Sequence, residues 1–232
     1  MKSSKIVYVG ICARRSGKRS GKDEFAYFCM KHFFDNNKVY TTRIALADSL
    51  KEAAQRIYNL TDKQLCGTQE DRESLTEWFW PTKNKLNRTG KMTAREILQY
   101  FGTEIMREGF DQLIWVNSLK STANARARAF QQGVTFVFVP DIRYPNEAEH
   151  MDYLVDIYRT EAELANGDMH ISERSGMLIP DYKIDFSVVN DGTLQELEEK
   201  AALFCESILL KGLESPSNMP VEAIAGGNNE KS

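Results

Sequence analysis

The chain has 232 residues, 42% of them hydrophobic, and a formal net charge of −3. That is enough for one sizeable α/β domain, but gives no general electrostatic means of holding duplex nucleic acid, so nucleic-acid partners are disfavoured. Cys12, Cys29, Cys66 and Cys205 form no Cys-x-x-Cys pair, and no histidine stands at metal-ligand spacing from them, which predicts reduced thiols rather than a disulfide frame or a zinc site.

No leader-like or membrane-length apolar run occurs, so a soluble cytoplasmic protein without membrane partners is expected. In chain order, "KIVYVGICA" at 5–13 reads as a buried strand. "ARRSGKRSGKDEF" at 13–25 then carries Arg-Ser-Gly-Lys twice. "DEFAYFCMKHFF" follows with Phe25, Phe28, Cys29 and His32/Phe33 at helical spacing and Asp23 as the expected cap. A second strand is predicted over 38–45, and Ser49-x-x-Glu52 has the spacing of a capping box that opens a helix.

Residues 60–92 are mostly polar, lack sustained periodicity and clump Trp78, Phe79, Trp80 and Pro81, which predicts an inserted, partly irregular segment. Thr93-x-x-Glu96 is another capping box, opening a helix with Ile97, Leu98, Phe101 and Ile105 on one face, and a further helix is expected over 111–131. "GVTFVFVPDIR", 133–143, is the strongest buried-strand signal. Strands are expected at 153–158 and 184–189, the latter leading through "NDGT" into a helix opened by Thr193-x-x-Glu196. From 213 onward Ser, Pro, Gly and Asn dominate, predicting a disordered tail. The expected layout is one domain over 1–212 with an insertion at about 60–92, then the tail 213–232.

Strands alternating with helices predict an α/β fold, a parallel sheet flanked by helices, whose ligands bind at the carboxyl ends of the strands. The loop 14–22, the end of the strand 134–140 and "NDGT" then share one edge. A phosphate-binding loop needs glycine where backbone approaches phosphate, a lysine to reach it, and a helix N-terminus. Gly21-Lys22 supplies the lysine and the helix start, but Ser16 stands where the first consensus glycine belongs and Asp23 where a hydroxyl residue belongs. A phosphate loop and a solvated basic turn both remain open. With the hydroxyl missing, Asp23, Glu24 or Asp141 would have to help hold any metal.

"PDIR" places Asp141 where it could hold magnesium or orient an acceptor, and Arg143 where it could meet the transferring phosphate. The bland alternative is a capped turn with a surface ion pair. Arg159 and Arg174 in the polar stretch 159–176 suit either a phosphate-covering segment or an ordinary loop, and His170 is read as structural.

Several separated motifs then line up with one family. "KRSGKD" at 18–23, "LADSLK" at 46–51, "REILQYFGTEI" at 95–105, "FDQLIWV" at 110–116, "VPDIR" at 139–143, "MHISE" at 169–173 and "VVNDGTLQEL" at 188–197 run in order over about residues 5–210. In these the chain resembles the bacteriophage deoxynucleoside monophosphate kinases. The resemblance implies a P-loop kinase fold and transfer of the γ-phosphate of ATP, with Mg2+, to a deoxynucleoside monophosphate, serving nucleotide supply for phage DNA synthesis; a homodimer is compatible with it.

By the same resemblance, Arg19, Gly21, Lys22, Asp23 and Glu24 would surround the ATP phosphates, the second Arg-Ser-Gly-Lys copy being the working loop. Lys18, Leu50, Lys51, Arg72, Gly102, Thr103 and Trp115 would line the monophosphate site. Lys22, Arg95 and Arg143 would serve the transferring phosphate, and Asp141 the acceptor or a metal. From the residues alone, Gly102 would let backbone approach a ligand, and Trp115 suits base stacking or core packing equally. The competing readings are another P-loop kinase, such as a dephospho-coenzyme A kinase, and a non-catalytic nucleic-acid-associated protein with a basic loop.

Overall fold

The computed structural model describes residues 5–14, 20–37, 39–130, 133–160 and 175–214. The central sheet contains β1 (Lys5–Cys12), β2 (Tyr40–Arg43), β5 (Val134–Val139), β6 (Tyr153–Tyr158) and β7 (Phe186–Val189), with β3 (Leu75–Phe79) and β4 (Lys91–Thr93) forming a separate hairpin. Its order is β2-β5-β1-β6-β7, and every neighbouring pair is parallel. The inner strands β1, β5 and β6 are short, mostly apolar runs because helices cover both faces. Along β5, Phe136 and Phe138 join one hydrophobic core while Val137 and Val139 join the other.

One face is covered by α1 (Lys22–His32) and α8 (Leu194–Glu214), which bury Phe25, Cys29, Leu197, Phe204 and Cys205 against Val7, Val9 and Ile11. The opposite face carries α2 (Leu46–Tyr58), α5 (Ala94–Gln99) and α6 (Ile114–Phe130), whose Leu46, Ala54, Ile97, Trp115 and Leu119 pack over Val137 and Val139. The cysteines are free; Cys12, Cys29 and Cys205 are buried and Cys66 is exposed.

Several local expectations change. Asp23 does not cap α1: the cap is Gly21, whose φ of 93° lies in the left-handed region, and Asp23 sits in the first turn. Ser49-x-x-Glu52 opens nothing, because α2 begins three residues earlier and the Ala45 N–H donates to Asp48 Oδ2 at 2.8 Å. Ser49 instead accepts from the Ser118 hydroxyl at 2.7 Å, joining α2 to α6.

The polar segment after α2 is more regular than expected. Thr61 with Gln64, and Thr68 with Asp71, cap the short helices α3 (Asp62–Cys66) and α4 (Gln69–Arg72), and the antiparallel β3/β4 hairpin follows. Leu60, Leu65, Trp80 and Met92 from this stretch enter the core beneath α2 and α5. Thr93 and Glu96 make the predicted capping box, but the helix widens into a π-helical segment over Tyr100–Arg107, and Ile105, assigned to the buried face, is 39% exposed. Thr93 and Thr193 both cap where predicted. The last helix runs to Glu214, two residues beyond the expected boundary, and the rest of the tail lies outside the described residues.

Candidate active site

The parallel sheet sends the ends of β1, β5 and β7 to one edge. There the Gly21 carbonyl accepts the first bond of α1 from Phe25 N–H at 2.9 Å. Just before it, the Ser20 carbonyl accepts from Asn190 Nδ2 at 2.9 Å, so the residue after β7 grips the entry to α1. A Cβ on Gly21 would collide with that same Asn190 amide, so both the positive φ and the close approach require glycine.

Lys22 donates from Nζ to Ser20 Oγ at 3.1 Å. Burial lowers its pKa, the nearby Arg143 guanidinium lowers it further, and Asp23 and Asp141 oppose the shift. Lys22, Arg143 and Asp141 therefore share one electrostatic neighbourhood. Arg143 is exposed, and its charge acts on both Lys22 and Asp141.

The Asp141 carboxylate accepts the backbone N–H of Leu46 on one oxygen and of Ala47 on the other, each at 2.8 Å. Burial pushes its pKa up while those amides and Arg143 pull it down. A carboxylate at a helix N-terminus is favoured by unpaired amides and dipole alike. Asp141 thus pins α2 to the end of β5. Asp23 is drawn to Arg43 at 2.9 Å, and Arg43 also lies 3.6 Å from Asp48. Glu24 is exposed on the first turn of α1.

On the neighbouring helices, Leu50 and Trp115 both meet Gly102. Leu50 lies so near Gly102 that a Cβ there would sit 2.8 Å from Leu50 Cδ2, and the Trp115 indole N–H donates to the Gly102 carbonyl at 3.1 Å. The close approach at Gly102 is therefore to a helix side chain, and Trp115, 8% exposed, is packed in the core. Thr103 is buried and, with Arg107, Glu108, Gln112, Tyr144 and Asn146, lines an open cavity of about 180 Å³. Lys51 reaches Cys66 Sγ at 3.7 Å. Arg95 pairs with Glu73 at 2.6 Å, and Arg72 donates to the Thr68 carbonyl of its own helix.

The family model described as deoxynucleotide monophosphate kinase matches residues 78–201, more than half of the chain. The chain belongs to this family. It is 29% identical over 202 residues to a provisionally named deoxynucleotide monophosphate kinase of Acanthamoeba polyphaga mimivirus, covering 82% of this chain and 92% of that one. It is 32% identical over 111 residues to the deoxynucleotide monophosphate kinase of Enterobacteria phage T4, covering 47% of this chain and 43% of that one. The protein is accordingly a phosphotransferase that uses ATP, with nucleotides as its small-molecule substrates. No described helix is long and apolar enough to cross a membrane.

Within this kinase the structure brings Gly21, Lys22, Asp23, Asp141 and Arg143 to one edge, and Leu50, Gly102, Thr103 and Trp115 to the neighbouring helical wall. Lys18, Arg19, Arg174 and His170 lie outside the described residues. The basic run is less uniform than its composition suggests, because its first arginine is turned inward. Arg14 pairs through Nε with the buried Asp156 at 3.0 Å and through Nη1 with Asp181 at 2.7 Å, and also donates to the Ile179 carbonyl at 2.9 Å. Sequence reasoning missed Arg43, Arg107, Glu147 and the grip of Asn190. Only "ND" after the last strand signalled one of them.

Proposed function

We propose that the kinase binds the ATP triphosphate at the N-terminus of α1 and transfers the γ-phosphoryl group to a deoxynucleoside monophosphate held between α2 and the Gly102–Thr103 wall. The observation that carries this reading is the buried Lys22 at a helix start shaped by Gly21, its pKa lowered first by burial and then by the charge of Arg143. A lysine and an arginine at a helix N-terminus suit a site that receives polyanions, with Asp23 and Asp141 nearby. Arg19 and Lys18 would extend it, Lys18 towards the acceptor.

In the reaction an oxygen of the acceptor monophosphate attacks the γ-phosphorus, the bond from that phosphorus to the β–γ bridging oxygen breaks, and ADP leaves with the electron pair. Lys22 follows charge that develops between the β and γ groups. Arg143 stabilises the transferring phosphoryl. Asp141 holds α2, and with it Leu50 and Lys51, in place for the acceptor; the family resemblance gives Arg72 and Arg95 phosphate roles too, and in this fold the first donates to the Thr68 carbonyl and the second pairs with Glu73.

Among the described residues no three acidic, histidine or cysteine side chains cluster as a metal cage. Magnesium commonly keeps several waters and takes one or two carboxylates plus substrate phosphates, so Asp23, Glu24 and Asp141 fit an ion that arrives with ATP. Held by one of them, Mg2+ would neutralise charge on the β- and γ-oxygens.

The test is a phosphoryl-transfer assay with Mg-ATP across the common deoxynucleoside monophosphates, run on wild type, Lys22→Ala and Lys18→Ala. Wild type should form a diphosphate from at least one acceptor. Lys22→Ala should lose turnover at saturating substrates, whereas Lys18→Ala should chiefly raise the monophosphate KM. Folded wild-type protein that turns over no monophosphate overturns the reading, and small, equal effects from both lysines return the loop to a basic surface turn.

A further inference from the structure

Behind the turn that carries Asp141 and Arg143 lies a buried ion pair that the transfer chemistry does not itself use. Glu147, in the short helix α7 (Pro145–Ala148), is 4% exposed, and Arg107, at the end of the π-helical segment, is 7% exposed. Arg107 Nη1 meets Glu147 Oε1 at 2.6 Å. The other carboxylate oxygen, Oε2, accepts the backbone N–H of Arg143 at 2.9 Å and of Tyr144 at 3.0 Å. Arg107 also donates to Asn146 Oδ1 at 3.2 Å, and its guanidinium lies 3.6 Å from the centre of the Tyr144 ring.

A buried ion pair seldom adds stability over apolar side chains of the same size, since desolvating both charges offsets their attraction. Its contribution here is geometric. Two consecutive amides converge on one carboxylate oxygen, which restricts the backbone of the turn from which the Arg143 side chain departs. The other end of the pair is rooted in the segment that carries Gly102 and Thr103, and Arg107, Tyr144 and Asn146 all line the cavity beside Thr103.

We infer that Glu147, braced by Arg107, is a positioning residue for Arg143: it sets the backbone from which the guanidinium reaches the transferring phosphoryl group and ties that backbone to the wall of the acceptor side. The inference rests on the role given to Arg143 above.

The experiment is a double-mutant cycle of Glu147→Gln and Arg143→Ala, with kcat, both KM values and thermal stability measured for each protein. Glu147→Gln keeps the side-chain shape but gives up the ion pair. It should lower kcat by about tenfold or more with the ATP KM nearly unchanged, and should lower kcat less than about twofold once Arg143 is already alanine. A purely structural Glu147 would lower activity by the same factor in both backgrounds, which overturns the inference. So does a normal kcat in Glu147→Gln when Arg143→Ala is crippled. A normal Arg143→Ala enzyme overturns instead the role of Arg143 in transfer. Should Glu147→Gln not fold, Arg107→Lys, which keeps the charge but not the paired N–H groups, takes its place in the same cycle with the same outcomes.

Discussion

Asn190, the first residue after β7, donates its side-chain amide to the carbonyl of Ser20 at 2.9 Å, bridging 170 residues to hold the chain entering α1. The same amide fills the space beside Gly21. Asn190→Ala should therefore disturb the donor site more than the acceptor site. We expect the ATP KM to rise by about tenfold with the monophosphate KM little changed, since small displacements of a binding group are costly. Gly21→Ala, which combines a positive φ with a collision, should be worse on the same measurement. Equal effects on both KM values would show that the grip serves the whole fold instead.

Lys22 provides a pH signature. Its pKa in the ligand-free fold lies below the ordinary 10.5, chiefly through burial and then through Arg143. The unfolded chain thus binds more protons than the fold between the lowered value and 10.5, and this group makes stability rise with pH in that window. A bound triphosphate favours the ammonium form, so ATP affinity should fall as pH rises through the depressed pKa. Titrations of wild type and Lys22→Met at several alkaline pH values check this. Parallel slopes for the two proteins would remove Lys22 from the phosphates.

Trp115→Phe separates packing from stacking. It deletes the indole N–H that the Gly102 carbonyl accepts, at a cost of about 1–2 kcal/mol, to be read from chemical denaturation. The monophosphate KM should stay close to that of wild type. A large rise in KM without loss of stability would mean that the indole meets the base.

The inward-turned Arg14 sets a fourth expectation. Arg14→Met removes the guanidinium from Asp156, which is 0% exposed, and taking one partner from a buried pair is destabilising. Urea unfolding should show that loss, and Asp156→Asn in the same chain should recover part of it. An unchanged midpoint for Arg14→Met would show that Arg14 is not needed to hold Asp156.

Most of the sheet was readable in the sequence because strands such as Val134–Val139, followed by Pro140, and Phe186–Val189, followed by Asn190, are apolar runs. The β3/β4 hairpin was not. Of Leu75–Phe79 only Thr76 is buried, so no alternation marks the strand. Gly21, Lys22, Asp141 and Arg143 were legible because residues at the ends of buried strands meet at one edge of a parallel sheet. Arg14 was not, since within a run of arginines and lysines nothing distinguishes the side chain that turns inward to a carboxylate on another strand. Arg107 and Glu147 are 40 residues apart, and neither sits in a pattern that names the other. Helix starts read from a capping pair held where the pair fell at the true boundary, as at Thr93 and Thr193, and not at Ser49.

The split of β5, with Phe136 and Phe138 on one side and Val137 and Val139 on the other, has a bearing on how such a kinase can diversify. The helix that begins at Lys22 rests on the first of these layers, and the helices bearing Leu50 and Trp115 rest on the second. On the assignment of donor and acceptor sites proposed above, substitutions that reshape which base is accepted can accumulate in the second layer while the proposed seat of the phosphate donor is left intact. Asp141 and Arg143, at the end of β5, adjoin both layers, and exchange between lineages should be least free there.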